Sequence, residues 1–291
     1  MNAETLVASR SGRWQGVLQI LCFNWRAYVS AAALGLACCA LGLRPDLPSG
    51  FRMVLGVGGG LILLWLTASL AVSHYVYDLS GLREWMWLRD WFPSTPQRWV
   101  RLHAGWDEMG LALQRVFPVR RPRSLDFYDG KEMSEPSIRV ARKTGAAADP
   151  SEAADWRALP LEDGGCDAVF LIMAAHELRR PLARELLFRE LHRVLEPGGR
   201  VFLLEHLRNA ANFLAFGPGF MHFLPRREWL RLARVAGFEV QATGSVTPFV
   251  GAFLLRKSAG LVWTGVEGLR HIEERAEDDV VMARTNGGNN E

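Results

Sequence analysis

The sequence predicts two structural regimes on one chain: a transmembrane helical hairpin, then an α/β domain whose mostly parallel sheet ends in an antiparallel strand pair. Three observations predict this. Long uncharged runs are confined to the first 80 of the 291 residues. Beyond Arg83 the chain becomes mixed and charged, as globular domains are. There, short apolar runs alternate with helical patterns, the mark of a parallel sheet.

The first apolar run covers residues 27–43, with a weaker extension back to Val17 that is broken by Asn24, Trp25 and Arg26; the second covers 51–77. A hydrocarbon core of ~30 Å takes about 20 helical residues, so the second run is long enough and the first is marginal without its extension. Between them Arg44-Pro45-Asp46-Leu47-Pro48-Ser49-Gly50 suits a tight helical connection. Arg10, Arg13 and Arg26 on one side and Arg83, Arg89, Arg98 and Arg101 on the other outnumber the arginines near this loop, which puts both termini in the cytoplasm. A cleaved signal peptide is the competing reading of the first run, but no clear small-residue cleavage site follows it. The run Gly56-Val57-Gly58-Gly59-Gly60 looks like a phosphate cradle, yet it lies within an apolar span without a charged partner and fits close helix packing better.

From 75 to 106, Tyr75, Tyr77, Trp85, Trp87, Trp91, Trp99 and Trp106 interleave with arginines. Indole and guanidinium groups both favour the headgroup zone, so this stretch reads as an interfacial collar. The resulting division is a hairpin over 1–79, an interfacial linker over 80–122, an α/β domain over 123–257, and a helical then disordered tail over 258–291. A net charge of +3 on 34 basic and 31 acidic groups gives no reason to expect a nucleic-acid partner. Cys22, Cys38, Cys39 and Cys166 lack zinc-ligand spacing, and no metal is expected, although His176-Glu177 with Glu205-His206 also has the makings of a metal site as a lesser reading.

In the soluble part, strands are expected over 124–128, 166–174 and 200–205, helices over 134–143, 181–195 and 226–236, and an antiparallel pair over 238–245 and 249–256. Pro197-Gly198-Gly199 stops the second helix and Gly237 the third.

Two blocks carry the chemistry: Asp155-Trp156-Arg157-Ala158-Leu159-Pro160-Leu161-Glu162-Asp163, which leads into the apolar run at Cys166, and Glu190-Leu191-His192-Arg193-Val194-Leu195-Glu196-Pro197-Gly198-Gly199. Here the chain resembles the class I, Rossmann-like S-adenosylmethionine-dependent methyltransferases over residues 123–257. The resemblance implies a Rossmann-like methyltransferase sheet and S-adenosylmethionine as cofactor. It places Asp155 at the acid that accepts the adenine amino group, and Asp126 at the acid of the family's first strand. Trp156 could pack on adenine; otherwise Asp155 is a turn cap.

The chain departs from the family after Asp126. Phe127-Tyr128-Asp129-Gly130 holds a single glycine, and only 25 residues separate Gly130 from Asp155, so the second strand with its ribose-binding acid is shortened or missing. Either the cofactor is held differently, with Asp126, Tyr128, Asp129 and Glu135 around it and Gly130, Asp155 and Trp156 also in contact, or the domain is a degenerate relative acting as a non-catalytic membrane adaptor.

His176-Glu177 and Glu205-His206 follow the next two strands, where an acceptor would meet the methyl group. His176, His206 and Glu205 are therefore the candidate catalytic residues, since proton removal near neutrality suits imidazole. The aromatic stretch 212–225 reads either as a lid over a hydrophobic acceptor or as a segment that buries its own rings on the collar. The sequence thus points to methyl transfer onto a lipid-like acceptor, with the bilayer as partner and the catalytic domain on the cytoplasmic face of a bacterial inner membrane.

Overall fold

The computed structural model describes residues 14–105, 110–133, 135–144 and 151–258. Arg10, Arg13, Trp106 and the tail from 259 onward lie outside the described residues.

Two helices open the chain, α1 (Gln15–Gly42) and α2 (Ser49–His74), and both are long and apolar enough to cross a membrane by length and composition. Asn24, expected to interrupt the first run, leaves helical geometry with φ −116° while its side chain donates to the Ile20 carbonyl at 3.1 Å. The helices touch through glycine: a Cβ built on Gly59 would lie 2.6 Å from the Gly35 carbonyl oxygen, whereas Gly58 and Gly60 have open space beside them. After α2 the backbone widens into a π turn, Tyr75–Leu79, which carries Asp78. That carboxylate accepts from the backbone N–H groups of Gly16 (2.6 Å) and Val17 (3.0 Å) and pairs with His74 Nδ1 at 2.9 Å. It satisfies otherwise orphaned donors at the start of α1 and opposes the positive end of the helix dipole.

The remaining elements are β1 (Trp99–His103), α3 (Gly110–Val116), β2 (Arg123–Asp126), α4 (Pro136–Thr144), β3 (Glu152–Ala153), β4 (Cys166–Ile172), α5 (Pro181–Val194), β5 (Leu195–His206), α6 (Ala210–Phe216), α7 (Arg226–Val235), β6 (Phe238–Thr247) and β7 (Val250–Lys257). They build a seven-stranded sheet in the order β3-β2-β1-β4-β5-β7-β6, parallel except for β7, which runs antiparallel to both neighbours. The expected terminal antiparallel pair is therefore β6 and β7. The strand expected over 200–205 begins earlier, at Leu195, and an irregularity in the β4 pairing absorbs Pro197-Gly198-Gly199.

Two expectations are corrected. Residues 80–122 are not an interfacial linker: Trp99–His103 is a central strand of the sheet, pairing with β2 on one side and β4 on the other. Nor are the tryptophans before it mainly a headgroup collar. Trp85 and Trp99 are buried, and Trp87 and Trp91 pack against Phe202. This segment covers one face of the sheet, together with Leu113 and Val116 of α3, while α4, α5 and α7 cover the other. A parallel sheet must bury both faces, and one short helix leaves room that the indoles fill.

The strand correction changes what Asp126 is. It ends the second strand of the fold, not the first, so the turn after the first strand begins at Ala104-Gly105.

The helix contact generates a test. Gly59→Leu should destabilise the protein by about 1–3 kcal/mol, because backbone faces backbone there, while Gly58→Leu should be nearly neutral. Thermal unfolding in detergent separates them; equal effects would reject Gly59 as the contact point.

Candidate active site

In an open parallel sheet, ligands bind beyond the carboxyl ends of the strands, where the strand order reverses. Here that point lies between β1 and β4. Beyond β1, Gly105 takes φ +94°, a left-handed conformation suited to glycine, and its N–H donates to His103 Nδ1 at 3.1 Å. His103 Nδ1 is therefore the acceptor, which leaves Nε2 to donate to Ser151 (2.9 Å) and Ser124 (3.1 Å). At the end of β2, Asp126 faces the same hollow. The guanidinium of Arg142, from α4, fills it: Arg142 pairs with Asp126 at 2.7 Å, lies 4.2 Å over the Tyr128 ring, and sits where a side chain on Gly105 would go.

Of the other residues expected to hold a cofactor, Asp155 lies just past β3 with a half-exposed side chain and accepts from the Arg157 backbone N–H at 2.9 Å. That is a turn cap at the rim of the cleft. Trp156 is buried in the core, and the Arg157 guanidinium lies 3.8 Å over its ring, so it offers no free face to an adenine. Gly130 lies beside the Tyr128 ring in the following turn, away from the end of β1.

The candidate catalytic residues do converge. At the end of β5, Glu205 has no exposed surface. Its Oε1 accepts from the Ala175 N–H (2.8 Å) and the His176 N–H (3.3 Å), and its Oε2 lies 2.6 Å from His176 Nδ1. His176 Nε2 lies 3.4 Å from Glu177 Oε1. Burial disfavours a charged His176, but the Glu205 carboxylate and then Glu177 outweigh it and raise the pKa to about 10. Conversely, burial and the neighbouring His176 charge push His206 down to about 4. Burial, His176 and Arg179 push His222 down to about 3. One imidazole is therefore held protonated and two are held neutral. His206 Nε2 is 2.7 Å from the Tyr77 hydroxyl, a contact between the π turn after α2 and the end of β5.

The aromatic stretch packs against the second hairpin helix and around His206. Asn209 caps α6 by accepting from the Asn212 N–H, and the buried Asn212 amide donates to the Leu207 and Phe249 carbonyls. Phe213 then meets Trp65 of α2 edge-on, while Phe216 and Phe223 surround His206, Phe223 stacked at 4.8 Å. Behind them lies a cavity of about 710 Å³. Its walls run from Phe23, Tyr28, Trp65 and Ser73 of the helical hairpin to Ala104, Met173, His176 and His206 at the strand ends. Ser73 is buried there, and its hydroxyl has no hydrogen-bond partner among the described residues.

Tyr77, His222, Arg142 and the Gly105 turn are the site residues that sequence reasoning missed. A strand, then Ala104-Gly105, then a helix from Gly110 was the available signal for the turn, masked by the tryptophans around it.

Residues 123–203 match the family model described as a methyltransferase domain. No sequence among the curated proteins matches the chain. Among solved structures, the chain is similar to a SAM-dependent methyltransferase from Aquifex aeolicus, with 16% identity over 62% of this chain and 94% of that one and a TM-score of 0.47. It is also similar to an S-adenosylmethionine-dependent methyltransferase from Mesorhizobium loti, with 19% identity, coverage of 60% and 98%, and a TM-score of 0.41. A SAM-dependent methyltransferase from Methanosarcina mazei gives 15% identity, coverage of 59% and 96%, and a TM-score of 0.42. The match to the methyltransferase-domain model covers residues 123–203, which run from β2 into β5 of the seven-stranded sheet.

Proposed function

We propose that the chain methylates a hydrophobic, lipid-like acceptor that reaches the site from within a bilayer, with α1 and α2 as a transmembrane anchor and the sheet on the cytoplasmic side. One observation carries this reading: a single cavity has apolar hairpin residues at one end and the His176–His206 cluster at the other. An acceptor dissolved in water would need no such path.

The residues at the β1 and β2 ends fit S-adenosylmethionine in kind: a turn without a Cβ at Gly105 allows close backbone approach, and the Asp126 carboxylate beside it can accept from ribose hydroxyls. Asp155 would lie at the rim. When bound, S-adenosylmethionine supplies a methyl group on a positively charged sulfur. The protein's own part is to position the acceptor and take its proton. Neutral His206, through the Tyr77 hydroxyl, is suited to receive it, whereas His176, already protonated, is suited to stabilise negative charge on the acceptor.

Arg142 favours the second reading, a binding domain that has given up catalysis, because its guanidinium holds the place the cofactor would take. Calorimetric titration with S-adenosylhomocysteine separates the two. Asp126→Ala should weaken binding about tenfold or more through loss of a hydrogen bond to a charged acceptor. Arg142→Ala, which empties the hollow, should tighten it. No binding by either the wild type or Arg142→Ala would establish the adaptor.

The cavity has its own test. Ala31→Trp, which fills the space between the helices, should reduce methylation of lipid extract in liposomes at least tenfold while leaving S-adenosylhomocysteine affinity within about twofold. Unchanged turnover would remove the membrane route.

The buried neutral His206 also predicts a pH dependence. Its folded pKa of about 4 lies below the unfolded value of 6.5, so its contribution is present above pH 6.5 and is lost as the pH falls and the unfolded state takes up the proton first. From pH 6.5 to 5 this amounts to at most about 1.4 kcal/mol per pH unit. His206→Gln should flatten the fall in melting temperature over that range. An unchanged slope would show that His206 is not the buried neutral group.

A further inference from the structure

His176, Glu177 and His222 offer two imidazole nitrogens and a carboxylate oxygen, and these ligand atoms all lie within 4.8 Å of one another. They come from separate elements: His176 and Glu177 from the turn Ala175–Glu177 after β4, and His222 from the end of the aromatic segment Gly217–His222. Two histidines and one carboxylate form a donor set suited to zinc and related divalent transition ions, with coordination positions left for other ligands.

Two further features point to a cation. His176 commits Nδ1 to Glu205, itself fully buried and held by two backbone N–H groups, and so turns Nε2 toward Glu177. A carboxylate behind a ligating imidazole, fixing its orientation, is the usual support for a metal-binding histidine. Glu177 Oε2, in turn, is buried and without a hydrogen-bond partner among the described residues, which is costly for a carboxylate oxygen unless a cation meets it.

The local charge allows a dication. Glu135, 3.6 Å from His222 Nδ1, pairs with the Arg179 guanidinium, while Glu177 and the buried Glu205 add two further carboxylates beside the cluster. Arg179 lies against the His222 ring, but it is also held by Glu135 Oε1 at 3.1 Å and by the His222 carbonyl at 2.9 Å. Those two contacts keep it in place when the ring turns to a metal.

We propose that His176, Glu177 and His222 bind one divalent transition-metal ion of the zinc type, which displaces the proton that His176 Nε2 carries in the metal-free protein and pins the aromatic segment to the end of β4. All three residues line the cavity, so the ion would also offer a coordination position to an acceptor oxygen or nitrogen. That use rests on the methyl-transfer reading; the binding does not.

The test uses full-length protein in detergent, stripped with a chelator, titrated with Zn²⁺ by calorimetry and with Co²⁺ by visible absorption. One ion per chain should bind, with the intense cobalt bands of a low-coordinate nitrogen and oxygen site. His222→Ala and Glu177→Gln should each weaken binding by at least tenfold while the metal-free variants keep the wild-type melting transition. If either variant unfolds, His222→Gln serves in its place, with the same weakening expected. Absence of saturable binding, or saturable binding that survives substitution at both positions, would overturn the proposal. Titration of the stripped protein with S-adenosylhomocysteine keeps the two ideas apart: its failure would count against methyl transfer and leave the ion site standing.

Discussion

The site is organised around one buried charge. Glu205 ends β5 with no exposed surface, and a carboxylate removed from water costs several kcal/mol unless its oxygens are satisfied. Here the donors are the N–H groups of Ala175 and His176 and the His176 ring. Meeting that demand folds the turn after β4 back over the end of β5. It sets the His176 ring at the cavity wall and holds that ring protonated against the desolvation that would otherwise neutralise it. The neutrality of His206 and His222 follows in part from the positive charge so fixed. The geometry of the cluster and the protonation of its imidazoles both depend on this carboxylate.

A second constraint joins the hairpin to the domain. Asp78 closes the start of α1 onto the π turn after α2, and Tyr77, in the same turn, reaches His206. Two adjacent residues therefore fix the hairpin internally and dock it on the sheet. Trp65 against Phe213 makes a further contact higher on α2. The cavity lies between these attachments, which is why its walls come from both parts of the chain.

Much of the fold was legible in the sequence because the signals were local. The apolar runs gave the hairpin, Pro197-Gly198-Gly199 and Gly237 gave helix ends, and the block from Asp155 onward gave the methyltransferase resemblance. The first strand was not legible. Trp99–His103 carries Arg101, is preceded by Arg98, and follows a stretch that satisfies every rule for a membrane interface, so residue type pointed to lipid where sheet packing had claimed it. That error moved Asp126 from the second strand to the first and hid the turn at Gly105. His176, Glu205 and His206, singled out by strand-end position, do come together in the fold. Tyr77, Arg142 and His222 were not legible, since each reaches the site across long sequence separations that only the folded sheet brings together.

The central claim is that one lipid-like molecule spans the cavity from hairpin to strand ends. It is tested most directly by placing a photoreactive amino acid at Ala31 in one sample and at Phe216 in another, irradiating each in native membranes, and weighing the adducts by mass spectrometry. The same lipid mass captured at both positions is the required result. Adducts at Ala31 only, with nothing at Phe216 but water or detergent, would contradict a continuous path and confine the lipid to the anchor.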